Sequence, residues 1–196
     1  MAKKVIVVGS GNAAMSAGIA ALESGASVLM LEKASEELAG GNTKYTAGAM
    51  RFPYENSEEL LPLLSNPDDE RISRTDFGTY TKEKFSNDLL DFNEGRPLTS
   101  EQTCLVSESY DAVKWLAGHG VTYEPIYSRQ SFEKDNKIIF WGGLALAARD
   151  EGVGLYNMEV KTFKNLGGSI RFNAGVTELL TSDKNVSGVI VGGEKY

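Results

Sequence analysis

A glycine-rich turn between two short apolar runs, near the start of the chain, constrains the fold more than any other feature. Val5-Ile6-Val7-Val8 is apolar and β-branched throughout, the pattern of a strand buried on both faces of a parallel sheet. Gly9-Ser10-Gly11-Asn12-Ala13-Ala14 follows, and residues 12–24 read as a helix. Its small residues, Ala13, Ala14, Ala17, Ala20 and Ala21, suit close packing on a sheet, and Gly25 is a good helix stop. Residues 28–31 form a second apolar run. Strand, helix and strand at this spacing make a βαβ unit, and right-handed crossover makes its two strands parallel.

Each position of the turn has a physical reason. Gly9 permits a tight strand-to-helix turn, Gly11 leaves its backbone open to a pyrophosphate, and Ala14 stands where a small residue allows close helix–strand packing, with Gly18 four residues on. The unpaired N–H groups at the helix start, those of Asn12 and Ala13, are expected to point at the phosphates, and the helix dipole favours their charge. Glu32 ends the second strand, 21 residues after Gly11. A carboxylate there accepts hydrogen bonds from ribose hydroxyls and repels a 2′-phosphate. The glycine motif alone says little; strand, helix and acid around it point to a dinucleotide.

An NAD-binding unit continues into another crossover helix. Here a second glycine pair comes eight residues after Glu32, in Gly40-Gly41-Asn42-Thr43, and Lys44-Tyr45-Thr46-Ala47-Gly48-Ala49-Met50 follows. Flexible backbone with small polar side chains suits a segment wrapped around a flat ring and its ribityl chain. It favours FAD over NAD.

Val7-Val8-Gly9-Ser10-Gly11-Asn12-Ala13-Ala14, Leu31-Glu32-Lys33, Gly40-Gly41-Asn42-Thr43, Trp115-Leu116 with His119-Gly120-Val121, Gly152-Val153-Gly154-Leu155 and Val186-Ser187-Gly188-Val189 together carry a resemblance. The chain resembles the N-terminal part of the fumarate reductase/succinate dehydrogenase flavoprotein superfamily, and in particular its FAD-dependent tricarballylate dehydrogenases. The resemblance implies an α/β, Rossmann-like FAD-binding fold, with a parallel sheet plus a β-hairpin. It implies that Glu32 binds the adenosine ribose, that Asn42, Thr43, Gly48 and Ala49 line the flavin, and that Val176 meets the adenine through its backbone. Lys33 and Gly41 fall among the cofactor-binding residues by the same match. Covalent members carry a histidine about where Asn42 stands, so FAD is expected to be noncovalent. In these relatives a second domain closes over the flavin, and the catalytic arginine and substrate-gripping side chains come later than Tyr196. The expectation is therefore one FAD-binding domain over residues 1–196, the incomplete N-terminal portion of a longer flavoprotein, with the catalytic cap absent, no catalytic residue assigned and an exposed sheet edge.

Composition agrees. A net charge of −7 argues against nucleic acid, and the longest apolar runs fall far short of the ~20 residues of a membrane span. Lys3-Lys4 before an apolar run is not a signal peptide, since Gly9 and Asn12 interrupt it. The one cysteine, Cys104, fits a reducing, cytoplasmic setting, and its helical context suggests a small buried hydrophobe rather than a reactive thiol. No metal-ligand spacing is seen.

Further along, residues 34–56 read as loop and residues 57–76 as a polar surface excursion. Residues 80–92 read as a helix with Phe85, Leu89 and Phe92 on one face. Thr99 and Gln102 suggest a capping box for a helix bearing Leu105, Ala112, Val113 and Leu116. Residues 123–141 read as irregular. Gly152-Val153-Gly154 opens a helix with Tyr156, Val160 and Phe163 on one stripe and Gly167-Gly168 at its end; residues 169–172 read as a third sheet strand. Residues 176–181 and 186–191 read as a hairpin around Ser182-Asp183-Lys184-Asn185. His119 is expected to interact with carbonyls at a helix end, and Arg51 to meet either a substrate carboxylate or only solvent.

The resulting expectation is an FAD-dependent dehydrogenase or reductase acting on a CH–CH bond of a small polycarboxylate such as tricarballylate or succinate/fumarate, with an electron-transfer protein as a partner. A non-catalytic flavin carrier and an NAD-dependent Rossmann enzyme are the alternatives.

Overall fold

A computed structural model of the chain describes residues 3–182 and 185–196. It divides into two compact units, Met1–Thr46 with Gly152–Tyr196, and Ala47–Glu151.

The first unit opens with β1 (Lys4–Val8), α1 (Asn12–Glu23) and β2 (Ser27–Leu31). β1 and β2 pair in parallel, Lys4 opposite Ser27 through Val8 opposite Leu31, as the crossover rule requires. Gly11 is the N-cap of α1, and Gly25, at φ +81°, takes the chain out of it. The core side of α1 differs from the alanine face expected from sequence. Met15, Gly18 and Ile19 are buried, whereas Ala13, Ala17 and Ala20 face solvent. The larger apolar side chains win the core because burying them removes more surface from water.

The second unit follows: β3 (Ala49–Met50), α2 (Ser57–Leu60), β4 (Thr75–Asp76), α3 (Lys82–Phe92), α4 (Ser100–Gly118), β5 (Tyr123–Pro125), α5 (Tyr127–Gln130), β6 (Ser131–Lys134), β7 (Lys137–Phe140) and β8 (Leu146–Ala148). They form two small sheets, ordered β3-β8-β5 and β4-β7-β6. The capping box of α4 is present: Gln102 N–H donates to Thr99 Oγ1 at 3.2 Å and Thr99 N–H to Gln102 Oε1 at 3.1 Å. Three expectations fail here. Residues 123–141 are ordered into strands, with β6 and β7 joined through Asp135 and Asn136, both at positive φ, the left-handed pair of a tight hairpin turn. The 57–76 stretch is no mere surface excursion, since Leu60 and Leu63 are buried. Phe92 is 83% exposed although Phe85 is buried, because α3 ends there and its last turn extends beyond the core.

The chain returns to the first unit with α6 (Glu151–Asn165), β9 (Ser169–Arg171), β10 (Val176–Ser182), β11 (Asn185–Val191) and β12 (Glu194–Lys195). β9 adds to β2 in parallel, giving the order β1-β2-β9. Gly18 marks the crossing of α1 with α6; a Cβ there would stand 2.7 Å from the Phe163 ring. On the hairpin side, Leu31, Ala174, Val189 and Val191 form a buried cluster against which Ile6, Leu29, Val176 and Tyr196 pack. The hairpin strands match expectation; Asp183 and Lys184 of the expected turn lie outside the described residues. In the described sheet β1 and β9 each have β2 as their one partner, so both ends of the order are edges. The side chains of β1 are correspondingly not buried on both faces, and Val8 is 54% exposed.

Candidate functional site

The C-terminal ends of β1 and β2, where open α/β sheets bind ligands, frame a cleft of about 300 Å³. Val8, Gly9, Ser10, Gly11, Leu31, Glu32, Lys33, Gly41, Gly175 and Val176 line it. The sheet ladder runs into the turn: Gly9 N–H donates to Leu31 O at 2.8 Å, and Glu32 N–H to Arg171 O at 2.9 Å. Gly9 sits at φ +95°, a region that a Cβ strongly disfavours.

Gly11 has a use beyond the one its spacing suggested. A Cβ there would stand 3.3 Å from Thr43 Oγ1 and 3.4 Å from Gly40 O. The bare glycine thus lets the 40–43 segment close on the turn. That closure redirects one donor: Asn12 N–H donates to Thr43 Oγ1 at 2.9 Å, so it is not aimed at a phosphate as expected. The N–H groups of Ala13 and Ala14 also stand at positions that no backbone carbonyl of the helix can reach. The first intrahelical bond runs from Met15 N–H to Gly11 O at 2.9 Å.

Glu32 is buried, and both its oxygens are held. Ser10 Oγ donates to Oε2 at 2.6 Å, and Ala34 N–H donates to Oε1 at 2.8 Å. Ser10 also accepts from Gly40 N–H at 3.2 Å. Sequence reading passed over Ser10; its one signal was a hydroxyl between two glycines of a turn otherwise built of backbone. Lys33 is exposed, and its Cβ lies 3.6 Å from where a Cβ on Gly175 would stand. Val176 opens β10 opposite Val191.

Asn42 and Thr43 lie in a 3₁₀ turn, Gly41–Tyr45, with Asn42 exposed. Gly152 fastens this turn. Its N–H donates to Thr46 O at 3.0 Å, and a Cβ would stand 2.1 Å from Thr43 O and 2.7 Å from Thr46 O. Gly40, at φ +114°, is closed over by Tyr156, whose ring would meet a Cβ there at 3.1 Å. Burial pushes the Tyr156 phenol up, its interaction with the Ser10 hydroxyl works against that rise, and the charges of Glu32, Glu36 and Glu159 add to it. Glu159, one turn further along α6, is fully buried with no hydrogen-bond partner for either oxygen. Desolvation pushes its carboxyl up to about 8.

Gly48 and Ala49 belong to the second unit. Gly48, at φ +64°, accepts from Ala148 N–H at 2.8 Å, and a Cβ there would collide with the Glu151 backbone at 2.7 Å. Ala49 pairs with Ala147. Arg51 is engaged within the protein: Nη1 donates to Tyr80 Oη at 3.0 Å and lies 3.4 Å from Asp88 Oδ2. His119 Nδ1 lies 2.7 Å from Trp115 O, the helix-end contact expected of it. Cys104 is exposed, which corrects its reading as a buried hydrophobe; the polar face of α4 carries it.

A parallel βαβ unit, a left-handed glycine turn, and a carboxylate held at the end of the second strand define a dinucleotide-binding protein of Rossmann type. Residues 4–195 match the FAD binding domain family, and the chain belongs to it, among the flavoproteins of the fumarate reductase/succinate dehydrogenase kind. The cofactor of that family is FAD. Fumarate reductase (cytochrome) of Shewanella frigidimarina is 28% identical over 190 residues, 96% of this chain and 29% of the relative. Digoxin reductase of Eggerthella lenta is 30% identical over 139 residues, 67% of this chain and 22% of the relative. The open conformation of a flavocytochrome c3 fumarate reductase has the same fold, at TM-score 0.67 and 22% identity, over 98% of this chain and 30% of that one. The chain thus spans less than a third of the length of these relatives. Among the described residues, no helix is long and apolar enough to cross a membrane.

Proposed function

We propose that the protein is the FAD-binding part of an oxidoreductase that forms or reduces a CH–CH bond beside a carboxylate, with succinate/fumarate as the first substrate pair to test and tricarballylate as the next. The observation that carries this reading is the cleft at the ends of β1 and β2, with Glu32 buried and oriented at its edge. Glu32 would take the adenosine ribose. The N–H groups of Ala13 and Ala14, with the bare backbone of Gly9 and Gly11, would take the pyrophosphate. Lys33 and Val176 would flank the adenine side, and Gly41, Asn42 and Thr43 the flavin side. Bound FAD supplies a two-electron acceptor or donor; this chain's residues bind and orient it, and the catalytic groups are assigned to none of them. Asn42 offers no imidazole for a covalent link, so FAD is held noncovalently. An electron-transfer protein as partner and a cytoplasmic setting complete the proposal.

Purified protein is expected to be yellow, or to become so on incubation with FAD, and to release unmodified FAD on acid precipitation. A protein that stays colourless after reconstitution defeats the FAD reading. Substrate class is tested on the product of the complete gene by following reoxidation of reduced flavin. Fumarate should reoxidise it and a monocarboxylate such as crotonate should not; equal rates with both would exclude a polycarboxylate site.

A further inference from the structure

The Ser10 hydroxyl is the buried polar group at the cleft to which no cofactor contact has been assigned. It is 1% exposed. A hydroxyl has one hydrogen to give and two lone pairs to receive with. Gly40 N–H, at 3.2 Å, occupies a lone pair, Ser10 Oγ donates its hydrogen to Glu32 Oε2 at 2.6 Å, and the Tyr156 phenol also interacts with the hydroxyl. The distance from Ser10 to Glu32 is that of a charge-assisted bond. Ala34 N–H holds the other oxygen at 2.8 Å. With one donor on each oxygen, the carboxylate plane is fixed, and each oxygen keeps room for a second donor. Two adjacent ribose hydroxyls supply such a pair. Ser10 in turn is oriented by Gly40, which begins the segment next to the flavin side. A relay therefore runs from Gly40 N–H through Ser10 Oγ to Glu32.

We infer that Ser10 is a positioning residue for nucleotide binding: it sets the Glu32 carboxylate in the orientation that receives the adenosine ribose, and it carries the placement of the Gly40 segment to that carboxylate. The inference rests on the FAD reading above and on Glu32 as the ribose acceptor. It predicts that Ser10 acts on affinity through Glu32 and not by holding the turn together.

The test is a double-mutant cycle on FAD affinity, measured by quenching of flavin fluorescence with apoprotein, using wild type, Ser10→Ala, Glu32→Ala and the double variant. Ser10→Ala should weaken FAD binding by about tenfold or more, the usual worth of a hydrogen bond to a charged group. In the Glu32→Ala background the same change should cost less than about twofold, as coupling through one contact requires. Equal losses in both backgrounds would overturn the inference, since a purely structural role moves both alike, and so would a Ser10→Ala protein of wild-type affinity. If Ser10→Ala does not fold, as judged by circular dichroism, Ser10→Gly serves in the same cycle with the same two outcomes. Wild type failing to bind FAD would overturn the FAD reading itself, and the inference with it; failure of the cycle alone would leave that reading standing.

Discussion

Gly152→Ala is expected to abolish measurable FAD binding and to destabilise the protein by about 3 kcal/mol, the upper range for forcing a group into a packed site. The added methyl would have to occupy space 2.1 Å from Thr43 O and 2.7 Å from Thr46 O. Both are backbone atoms, so no rotamer change relieves the contact, and the 3₁₀ turn Gly41–Tyr45 must move instead. That movement takes Thr43 Oγ1 away from Asn12 N–H, leaving a helix-start donor unpaired, and withdraws the Gly40 segment from Ser10. The neighbouring Val153, 45% exposed, is the control: Val153→Ala should leave affinity within twofold and stability within about 0.5 kcal/mol, as for an exposed side chain. Flavin titration and urea unfolding of the two variants decide the matter, and wild-type affinity in Gly152→Ala would show that the 41–45 turn takes no part in binding.

The second large effect concerns Glu159. Its carboxyl is pushed by desolvation from 4.5 up to about 8, with no partner for either oxygen. The native state therefore holds this proton over a pH range in which the unfolded chain has released it. The stability this group allows is full below about pH 4.5 and is lost as pH rises through about 8. At 1.36 kcal/mol per pH unit, the whole span is worth roughly 5 kcal/mol, and about 3 of it has gone by pH 7. Glu159→Met, apolar and of similar reach, should remove that component. The variant should outlast wild type in urea by several kcal/mol at pH 8, with the difference shrinking towards pH 5. Wild-type and variant stability curves that run parallel from pH 5 to pH 9 would mean that the carboxyl finds a partner or water on ionising.

The portion of the fold legible in sequence was the portion written in local pattern. β1, α1 and β2 follow from β-branched runs around glycines; the α4 cap follows from Thr99 and Gln102; α6 and the β10–β11 hairpin follow from apolar spacing and their glycine ends. The place of Glu32 at the end of the second strand was legible from its distance from Gly11. The second unit was largely illegible because its strands run to four residues at most, too short for an alternation to register, and because the β6–β7 turn uses Asp135 and Asn136 where glycine would have announced it. Ser10 was missed for a different reason. Its importance comes from Glu32 and Gly40, 22 and 30 positions away, and no local pattern reports such partners. The alanines of α1 misled because small size permits close packing without requiring it.

The dinucleotide cleft can close only after the whole of Ala47–Glu151 has been synthesised. Its sheet depends on β9, whose Ser169 pairs with Leu29, while all of Ala47–Glu151 is made in between. Loop-closure entropy grows only slowly with length, so the detour costs little in final stability. Its effect falls on rate and order, since contacts distant in sequence form late. Amides of the contiguous unit should gain protection from hydrogen exchange before those of β2, which waits unpaired on the β9 side. Until β9 arrives, the newborn chain presents a bare apolar strand, so folding helpers and early aggregation compete for it well before any cofactor can bind.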